Sequence, residues 1–262
     1  MILAIDIGNT NITIGSIEQG EIQFEARMAT DTIKTSDQYT AELKSILSLF
    51  SVDATQFEGS IVSSVVPQVQ HAFRTAIRKL TGHYPLIVGP GIRTGLNIRI
   101  DAPSQTGADL VVGAVAALHE YPLPLAIVDM GTATTISILN EKGAFIGGCI
   151  APGVRISQEA LFSRTAQLPG ISLDAPKYVI GRNTIDCMRS GILYGAAASL
   201  DGLIDRMEDE IGKPLTVVTT GGIARFVIPH CRRKMLYDQD LLLKGLWLLY
   251  RQNTPEKAPD TE

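Results

Sequence analysis

The sequence has few of the residues that build a disulfide framework, a zinc site or a nucleic-acid surface. Only three of its 262 residues are cysteine, Cys149, Cys187 and Cys231, and no two of them form a Cys-x-x-Cys pair. The four histidines show no metal-ligand spacing. The net charge is −4, and the one tight basic run spans 232–234, so the chain lacks the basic surface that nucleic-acid binding needs.

Long apolar runs are also missing. No stretch approaches the roughly 20 apolar residues of a membrane-spanning helix. The amino terminus begins with a strand-like pattern rather than a basic segment followed by an apolar one, so we expect no signal peptide, no membrane contact and a cytoplasmic protein. No GxxxxGK[ST] motif occurs, and "GPGIRTG" (89–95) has the wrong spacing for a dinucleotide loop, which predicts an ordinary loop there.

One pattern occurs twice in the chain. "LAIDIGNTNITI" (3–14) and "AIVDMGTATTISI" (126–138) both contain an apolar strand, an Asp-x-Gly turn, small polar residues and a second apolar strand. Either copy alone could be an ordinary hairpin, because glycine and asparagine accept the positive φ of tight turns. Two copies in matched contexts indicate an internal duplication.

The elements around each copy follow the same order, with three antiparallel strands before alternating helices and strands. This order predicts an α/β fold of two tandem ribonuclease-H-like domains. We place the domains at 1–121 and 122–252, followed by a disordered polar tail at 253–262. Apolar periodicity predicts helices at 36–50, from 67, at 108–119, 154–166 and 183–211, and a last one that carries Leu241 and Leu249.

The two Asp-x-Gly turns have the composition of an anion cradle, in which main-chain N–H groups and small hydroxyls converge. Glycine at positions 8 and 131 would let the main chain approach a phosphate. Polar side chains without bulk surround these glycines: Asn9, Thr10, Asn11, Thr132, Thr134 and Thr135. Asp6 and Asp129 would repel a phosphate at ~4 Å by about 4 kcal/mol, so a cation is implied, either Mg²⁺, a monovalent ion or both. The alternative is that each aspartate hydrogen-bonds its own turn, but the pairing favours a ligand.

Two further features have both a ligand-binding and a structural interpretation. "TTGGIA" (219–224) either lets the main chain approach a nucleotide or begins a helix after a strand. Asp109 lies at the start of a predicted helix, whose positive end would keep the carboxylate ionised and able to accept a proton. An acidic residue in the first turn of a helix is common, however.

Taken together, the motifs resemble the superfamily of sugar kinases, Hsp70 and actin, and within it the type III pantothenate kinases over nearly the full length. Seven segments in the family's order carry the resemblance: "DIGNTN" (6–11), "GADL" (107–110), "DMGTATT" (129–135), "GGCIAPGV" (147–154), "TAQLP" (165–169), "IGRNT" (180–184) and "TGG" (220–222). The resemblance implies ATP-dependent phosphorylation of pantothenate, the first step of coenzyme A synthesis. It also implies Mg²⁺, a monovalent cation (K⁺ or NH₄⁺) and a cytoplasmic homodimer.

The resemblance also implies roles for individual residues. Asp109 would accept the proton, Asp129 would bind the monovalent cation, and Thr132 would contact ATP. The ATP phosphates would lie against Asp6, Ile7, Gly8, Asn9, Thr10, Asn11, Ile12 and Thr13. Pantothenate would contact Ile100, Gly107, Ala108, Asp109, Leu110 and Thr184.

This chain departs from the family pattern around the acceptor. Leu110 stands where the family commonly has arginine, Ile100 where it has tyrosine, and Ala102 where it has asparagine. An arginine could pair with the pantothenate carboxylate in a bidentate way, and leucine cannot. Our hypothesis is that Arg99 or Arg93 supplies the missing cation. Two alternatives remain open, a related kinase for another small hydroxylated acid and a noncatalytic nucleotide-binding regulator.

Overall fold

The structure is a computed structural model, and it describes residues 1–254. From residue 255 onward the predicted disordered tail lies outside the described residues. The strands within the described range are β1 Ile2–Ile7, β2 Asn11–Glu18, β3 Glu21–Ala29, β4 Gly59–Ser64, β5 Leu86–Ile87, β6 Asn97–Ile98, β7 Leu125–Met130, β8 Ala133–Leu139, β9 Ala144–Pro152, β10 Thr216–Thr220 and β11 Leu236–Tyr237. The helices there are α1 Ser36–Leu49, α2 Pro67–Thr81, α3 Ala108–Glu120, α4 Val154–Ser163, α5 Thr184–Ile211, α6 Ala224–Val227 and α7 Leu241–Asn253.

The two sheets repeat one topology, as the duplication predicts. The first has the order β3-β2-β1-β4-β5, and the second has β9-β8-β7-β10-β11 with β6 added at its edge. In each sheet the first three strands are antiparallel, and the next two run parallel to the first. The predicted fold class is therefore confirmed. The two-residue strand β6 is the element that the sequence pattern misses, because two residues show no periodicity.

The chain divides into two compact units whose limits differ from the predicted boundaries in three places. Unit 1 contains residues 1–96, 102–116 and 240–254, and unit 2 contains residues 97–101 and 117–239, so the first boundary lies at 116 rather than 121. Helix α7 belongs to unit 1 because its apolar side chains pack on β1 and β4. Residues 97–101 belong to unit 2 because β6 pairs with β9.

Both faces of the unit 1 sheet are covered, so its central strand is buried along almost its whole length. Leu3, Ile5 and Ile7 point to the face that α1 and α2 cover. Ile2 and Ala4 point to the opposite face, where α3 and α7 pack. Successive side chains of a strand alternate between the two faces. Asp6 follows Ala4 on the second face and is only half-buried, which makes it the polar exception in an apolar strand.

In unit 2 the longest helix, α5, packs on one face of the sheet. Ala126, Val128 and Met130 of β7 point to that face and form one cluster with apolar residues of α5 and α6. Asp129 lies in β7 between Val128 and Met130 and therefore points to the opposite face. A search of residues 1–254 finds no helix that is both long enough and apolar enough to span a membrane.

The packing of α7 in unit 1 depends on one glycine. A Cβ added at Gly245 would overlap the main-chain oxygen of Val112 in α3. We therefore expect Gly245→Ala to lower the free energy of unfolding by about 1–3 kcal/mol, the usual scale of overpacking. Denaturant unfolding followed by circular dichroism measures this change.

The matched control is Gly202→Ala in α5. A Cβ there meets only the end of the flexible Arg206 side chain, at 3.2 Å. Alanine in a helix interior is favoured over glycine by about 0.5–1 kcal/mol, so this variant should be as stable as the parent or more so. Equal stabilities of the two variants would contradict the packing described for α7.

Candidate functional site

The β1–β2 hairpin of unit 1 is held from within and from the end of β3. The Gly8 N–H donates to the carbonyl oxygen of Asn11 at 3.0 Å. The Thr30 hydroxyl donates to the carbonyl oxygen of Gly8 at 2.7 Å, and the Thr30 N–H donates to that of Thr10 at 2.9 Å. The side chains of Asn9, Thr10 and Asn11 are exposed at the tip. Sequence reasoning did not identify Thr30 as the brace, because nothing local marks it.

The positive φ that glycine would provide in an ordinary tight turn is absent from both Asp-x-Gly turns. Neither Gly8 nor Gly131 has a positive φ. The neighbouring hairpin between β2 and β3 does have this geometry, because Gln19 has a φ of 53° and Gly20 a φ of 90°. A purely structural hairpin in the same sheet thus uses the left-handed region and the Asp-x-Gly hairpins do not. A need for positive φ therefore does not explain glycine at positions 8 and 131.

Two of the predicted ATP-binding residues cannot bind a ligand through their side chains. Ile7 and Ile12 are fully buried and belong to the core under α1 and α2. They also oppose each other across the hairpin. Any contact that they make with a nucleotide would therefore come from the main chain.

In unit 2, glycines pack closely against main-chain and carboxylate oxygens of the equivalent hairpin. A Cβ at Gly221 would lie 2.7 Å from Asp129 Oδ1 and 2.6 Å from the carbonyl oxygen of Met130. A Cβ at Gly153, which precedes α4, would overlap the carbonyl oxygen of Thr132. Glycine at these two positions lets the turn, α4 and the "TGG" segment approach closely. The structure thus brings Asp129, Thr132 and the third glycine element together.

Gly221 has a φ of 90°, so this position requires glycine for its backbone conformation as well as for close packing. The strand before it, β10, lies parallel to β7, with Thr220 opposite Asp129. In open sheets of this kind, ligands bind at the carboxyl ends of the strands. Both aspartates lie at such an end.

The Asp109 carboxylate is folded back over the first turn of α3. Its Oδ1 accepts a hydrogen bond from the Leu110 N–H at 2.8 Å. A Cβ at Gly107 would collide with this same oxygen, so glycine at 107 is what admits the carboxylate here. Just before it, the Thr106 hydroxyl is buried and has no hydrogen-bond partner among the described residues.

Burial raises the pKa of Asp109, although the residue lies in the first turn of α3 as predicted. The main-chain N–H groups of Leu110 and Asp109 lower the pKa, but they do not offset the cost of removing the charge from water. No cationic side chain contributes, and the neighbour is Leu110 where the family commonly has arginine. A raised pKa suits a proton acceptor, since a base works best when its pKa approaches the working pH.

The structure separates the two arginines that the hypothesis treats as equivalent. The main chain of Arg93 is held by the side chain of Asn253 at the end of α7. That helix contacts Gly15 through Leu243 and Gly59 through Tyr250, and it therefore runs toward the amino ends of β1 and β4. Arg93 thus lies near the amino ends of these strands, and the Gly8 hairpin lies at the opposite end of β1.

Arg99 and Ile100 follow β6 in unit 2. The Arg99 N–H donates to the carbonyl oxygen of Phe145 at 2.7 Å, and the arginine side chain is exposed. Ile100 Cγ2 lies 4.0 Å from the position of a Cβ on Gly147, in the "GGCIAPGV" segment. Thr184 is the exposed first residue of α5, and the Asn183 side chain caps that helix by accepting from the Asp186 N–H at 2.9 Å.

No group of three or more His, Cys, Asp or Glu side chains in residues 1–254 is placed to hold a metal ion. The oxygen donors near Asp129 are main-chain carbonyls and the hydroxyls of Thr135 and Thr220, and those near Asp6 are hydroxyls. Hard cations such as Mg²⁺ accept both kinds of oxygen.

Comparison with known proteins gives a consistent result. A family model described as type III pantothenate kinase matches residues 2–206. A type III pantothenate kinase from Brevibacillus brevis is 45% identical over 253 residues, which are 97% of this chain and 99% of the relative.

Two solved structures share the fold at low identity. A Campylobacter jejuni protein assigned to the Baf family of transcriptional activators has a TM-score of 0.60 and 17% identity, and the match covers 96% of this chain and 98% of that one. Component A of the (R)-2-hydroxyglutaryl-CoA dehydratase of Acidaminococcus fermentans has a TM-score of 0.56 and 15% identity, and the match covers 95% and 96%.

Gly131 offers a test of the hairpin that separates binding from folding. A Cβ at this position meets nothing closer than 3.7 Å, and φ is not positive, so Gly131→Ala should fold with the parent's melting temperature. If the bare glycine admits a phosphate, the Kd for ATP measured by calorimetry should rise about tenfold or more, the loss of one interaction of roughly 1.4 kcal/mol.

The control is Gly143→Ala in the turn between β8 and β9. Gly143 has a φ of 71°, and its Cβ would lie 2.7 Å from Leu118, so this variant should lose stability. Unchanged ATP affinity in Gly131→Ala would remove the ligand-binding role of that glycine.

Proposed function

The chain belongs to the type III pantothenate kinase family, and from that premise we propose how its residues bind ATP and pantothenate and transfer the phosphoryl group. Family membership establishes the reaction as ATP-dependent phosphorylation of pantothenate in coenzyme A synthesis. The observation that carries the proposed mechanism is the buried Asp109 carboxylate with its raised pKa. Asp109 accepts the proton of the pantothenate hydroxyl as that oxygen attacks the γ-phosphoryl group of ATP.

The β1–β2 hairpin, residues 6–13, binds the ATP phosphates. Its exposed side chains and main-chain amides supply donors, whereas Ile7 and Ile12 fix the hairpin in the core. Thr132 contacts the nucleotide from the turn on which Gly153 packs. Phosphoryl transfer needs mainly positioning and neutralisation of charge, which donors of this kind and bound cations provide.

The surroundings of Asp129 fit a monovalent cation such as K⁺ or NH₄⁺. The carboxylate and the carbonyl oxygens of Met130 and Thr132 are approached by glycines rather than by bulky side chains. Oxygen donors in an irregular arrangement suit a large hard cation. When bound, the cation would neutralise charge on the ATP phosphates. Mg²⁺ would accompany ATP at Asp6.

The acceptor side uses Gly107, Ala108, Leu110, Ile100 and Thr184. Because Leu110 is apolar, the charge that pairs with the pantothenate carboxylate comes from another residue. Arg99 is exposed and adjacent to Ile100. The main chain of Arg93, in contrast, is held near the amino ends of the unit 1 strands. Arg99 is therefore the better candidate.

We also propose that the protein is a cytoplasmic homodimer, as the family resemblance implies. Large apolar side chains are exposed on unit 2, and they include Ile150, Phe162 and Ile180, with exposed fractions of 76%, 55% and 82%. Exposed apolar side chains that form a continuous patch are typical of an interface. A second copy of the chain would cover it.

The direct test of the function is an assay of purified protein with ATP, Mg²⁺, K⁺ and pantothenate, with detection of ADP and phosphopantothenate. Asp109→Asn should lower kcat about 10²–10⁴-fold, the usual contribution of a general base. Wild-type turnover in this variant would refute the role of Asp109. ADP formation with a different hydroxy acid and none with pantothenate would refute the acceptor.

The same variant should be more stable than the parent at neutral pH. An unfolded aspartate has a pKa of about 3.9, and the folded-state pKa of Asp109 is raised. The unfolded chain therefore loses this proton first as the pH rises, and stability falls across the window between the two pKa values. Melting temperatures should show that the advantage of Asp109→Asn is present at pH 7 and disappears below about pH 4.

Arg99→Ala tests the acceptor contact, with Arg93→Ala as the matched control. A hydrogen bond to a charged group contributes about 1.5–3 kcal/mol, so the KM for pantothenate should rise by roughly 10- to 100-fold in Arg99→Ala. The KM for ATP should stay unchanged, and Arg93→Ala should behave as the parent in both. Equal KM values for pantothenate in the two variants would exclude Arg99.

A further inference from the structure

The central-strand aspartate of unit 1 lies in a row of three polar residues. Asp6 is opposite Thr13 of β2 and opposite Ser63 of β4. Residues in register on neighbouring strands project from the same face of a sheet, so the carboxylate is flanked by a hydroxyl on each side. The next row on that face is apolar, with Ala4 opposite Ile61. The polar row lies one residue from the carboxyl end of β1.

Unit 2 repeats this row independently. Asp129 is opposite Thr135 of β8 and opposite Thr220 of β10. Thr135 is the counterpart of Thr13, and Thr220 is the counterpart of Ser63, because the two sheets share one strand order. A hydroxyl on each side of the carboxylate is thus a property of both halves of the duplication.

Ser63 is the unusual member of the row in unit 1. The residue has no exposed surface, and its hydroxyl has no hydrogen-bond partner among the described residues. Its neighbour Ser64 does have one, since it donates to the carbonyl oxygen of Val66 at 3.2 Å. A buried hydroxyl without a partner costs free energy, and a ligand beside Asp6 would provide that partner.

We propose that the Ser63 hydroxyl oxygen contacts a hydrated Mg²⁺ ion. The counter-charge of this ion is the Asp6 carboxylate. This inference rests on the proposed function, because the ion accompanies ATP. Mg²⁺ prefers oxygen ligands, keeps several of its waters and is commonly bound through one or two carboxylates. A hydroxyl can accept from such a water as well as donate, whereas a carboxylate only accepts. Ser63 therefore complements Asp6.

Ser60 provides a control in the same strand. Its hydroxyl is also buried without a partner among the described residues, and its exposed fraction is 2%. Ser60 is in register with Leu3, however, and so lies on the other face of the sheet, away from the carboxylate. Ser60→Ala and Ser63→Ala remove the same group at nearly the same burial, and only one of them removes it beside Asp6.

The experiment measures ATP binding by calorimetry at graded Mg²⁺ concentrations and in EDTA, together with the melting temperature without ligand. In Ser63→Ala the Mg²⁺ concentration for half-maximal ATP binding should rise about tenfold or more, the usual effect of losing a group that supports a metal. Binding in EDTA and the melting temperature should not fall. Ser60→Ala should match the parent throughout, and Ser63→Thr should retain the Mg²⁺ dependence, because threonine stands at the equivalent position 220.

An unchanged Mg²⁺ dependence in Ser63→Ala would overturn the assignment. An equal loss in Ser60→Ala, or an equal loss with and without Mg²⁺, would also overturn it, since either result reports a general effect on the sheet. The proposed function can be refuted independently of the role of Ser63. A parent protein that binds Mg²⁺ and ATP but makes no phosphopantothenate would refute the acceptor, and its Mg²⁺ titration would still decide the role of Ser63.

Discussion

The structure depends on keeping a carboxylate at the end of a buried strand in the middle of each sheet. Asp6 and Asp129 are surrounded by ladder hydrogen bonds on both sides, so neither can move away from the strand end to reach bulk water. A charge fixed in that place needs hydroxyls, main-chain donors or a cation nearby. The flanking hydroxyls meet this need, and the brace at Thr30 holds the first hairpin in place. The apolar rows behind each carboxylate make its position rigid.

Much of this could be predicted from the sequence, because the signals are local. The Asp-x-Gly repeats and the alternation of apolar residues predict both sheets, their strand order and the helices between them. Interactions between distant residues could not be predicted in the same way. The contact of Gly107 with the Asp109 carboxylate depends on a rotamer, the membership of α7 in unit 1 depends on packing, and the row through Ser63 depends on strand register.

The pKa of Asp109 could not be predicted from the local chain. A place in the first turn of a helix favours the ionised carboxylate. In the folded protein, desolvation outweighs this local effect. Burial without a neighbouring cation raises the pKa of Asp109, and the side chain of the adjacent Leu110 carries no charge that would lower it.

Helix α7 connects the architecture of the protein to its synthesis. Its residues are the last that the structure describes, yet Leu243, Leu246 and Leu249 complete the core that begins with Ile2 and Ala4. On the ribosome, domains generally fold as the chain emerges, starting from the amino terminus. Here the strands β1 and β2 must wait for α7, so the unit that begins to emerge first acquires a finished core only after α7 has been translated. Until then, part of its apolar surface is exposed to chaperones and to neighbouring nascent chains.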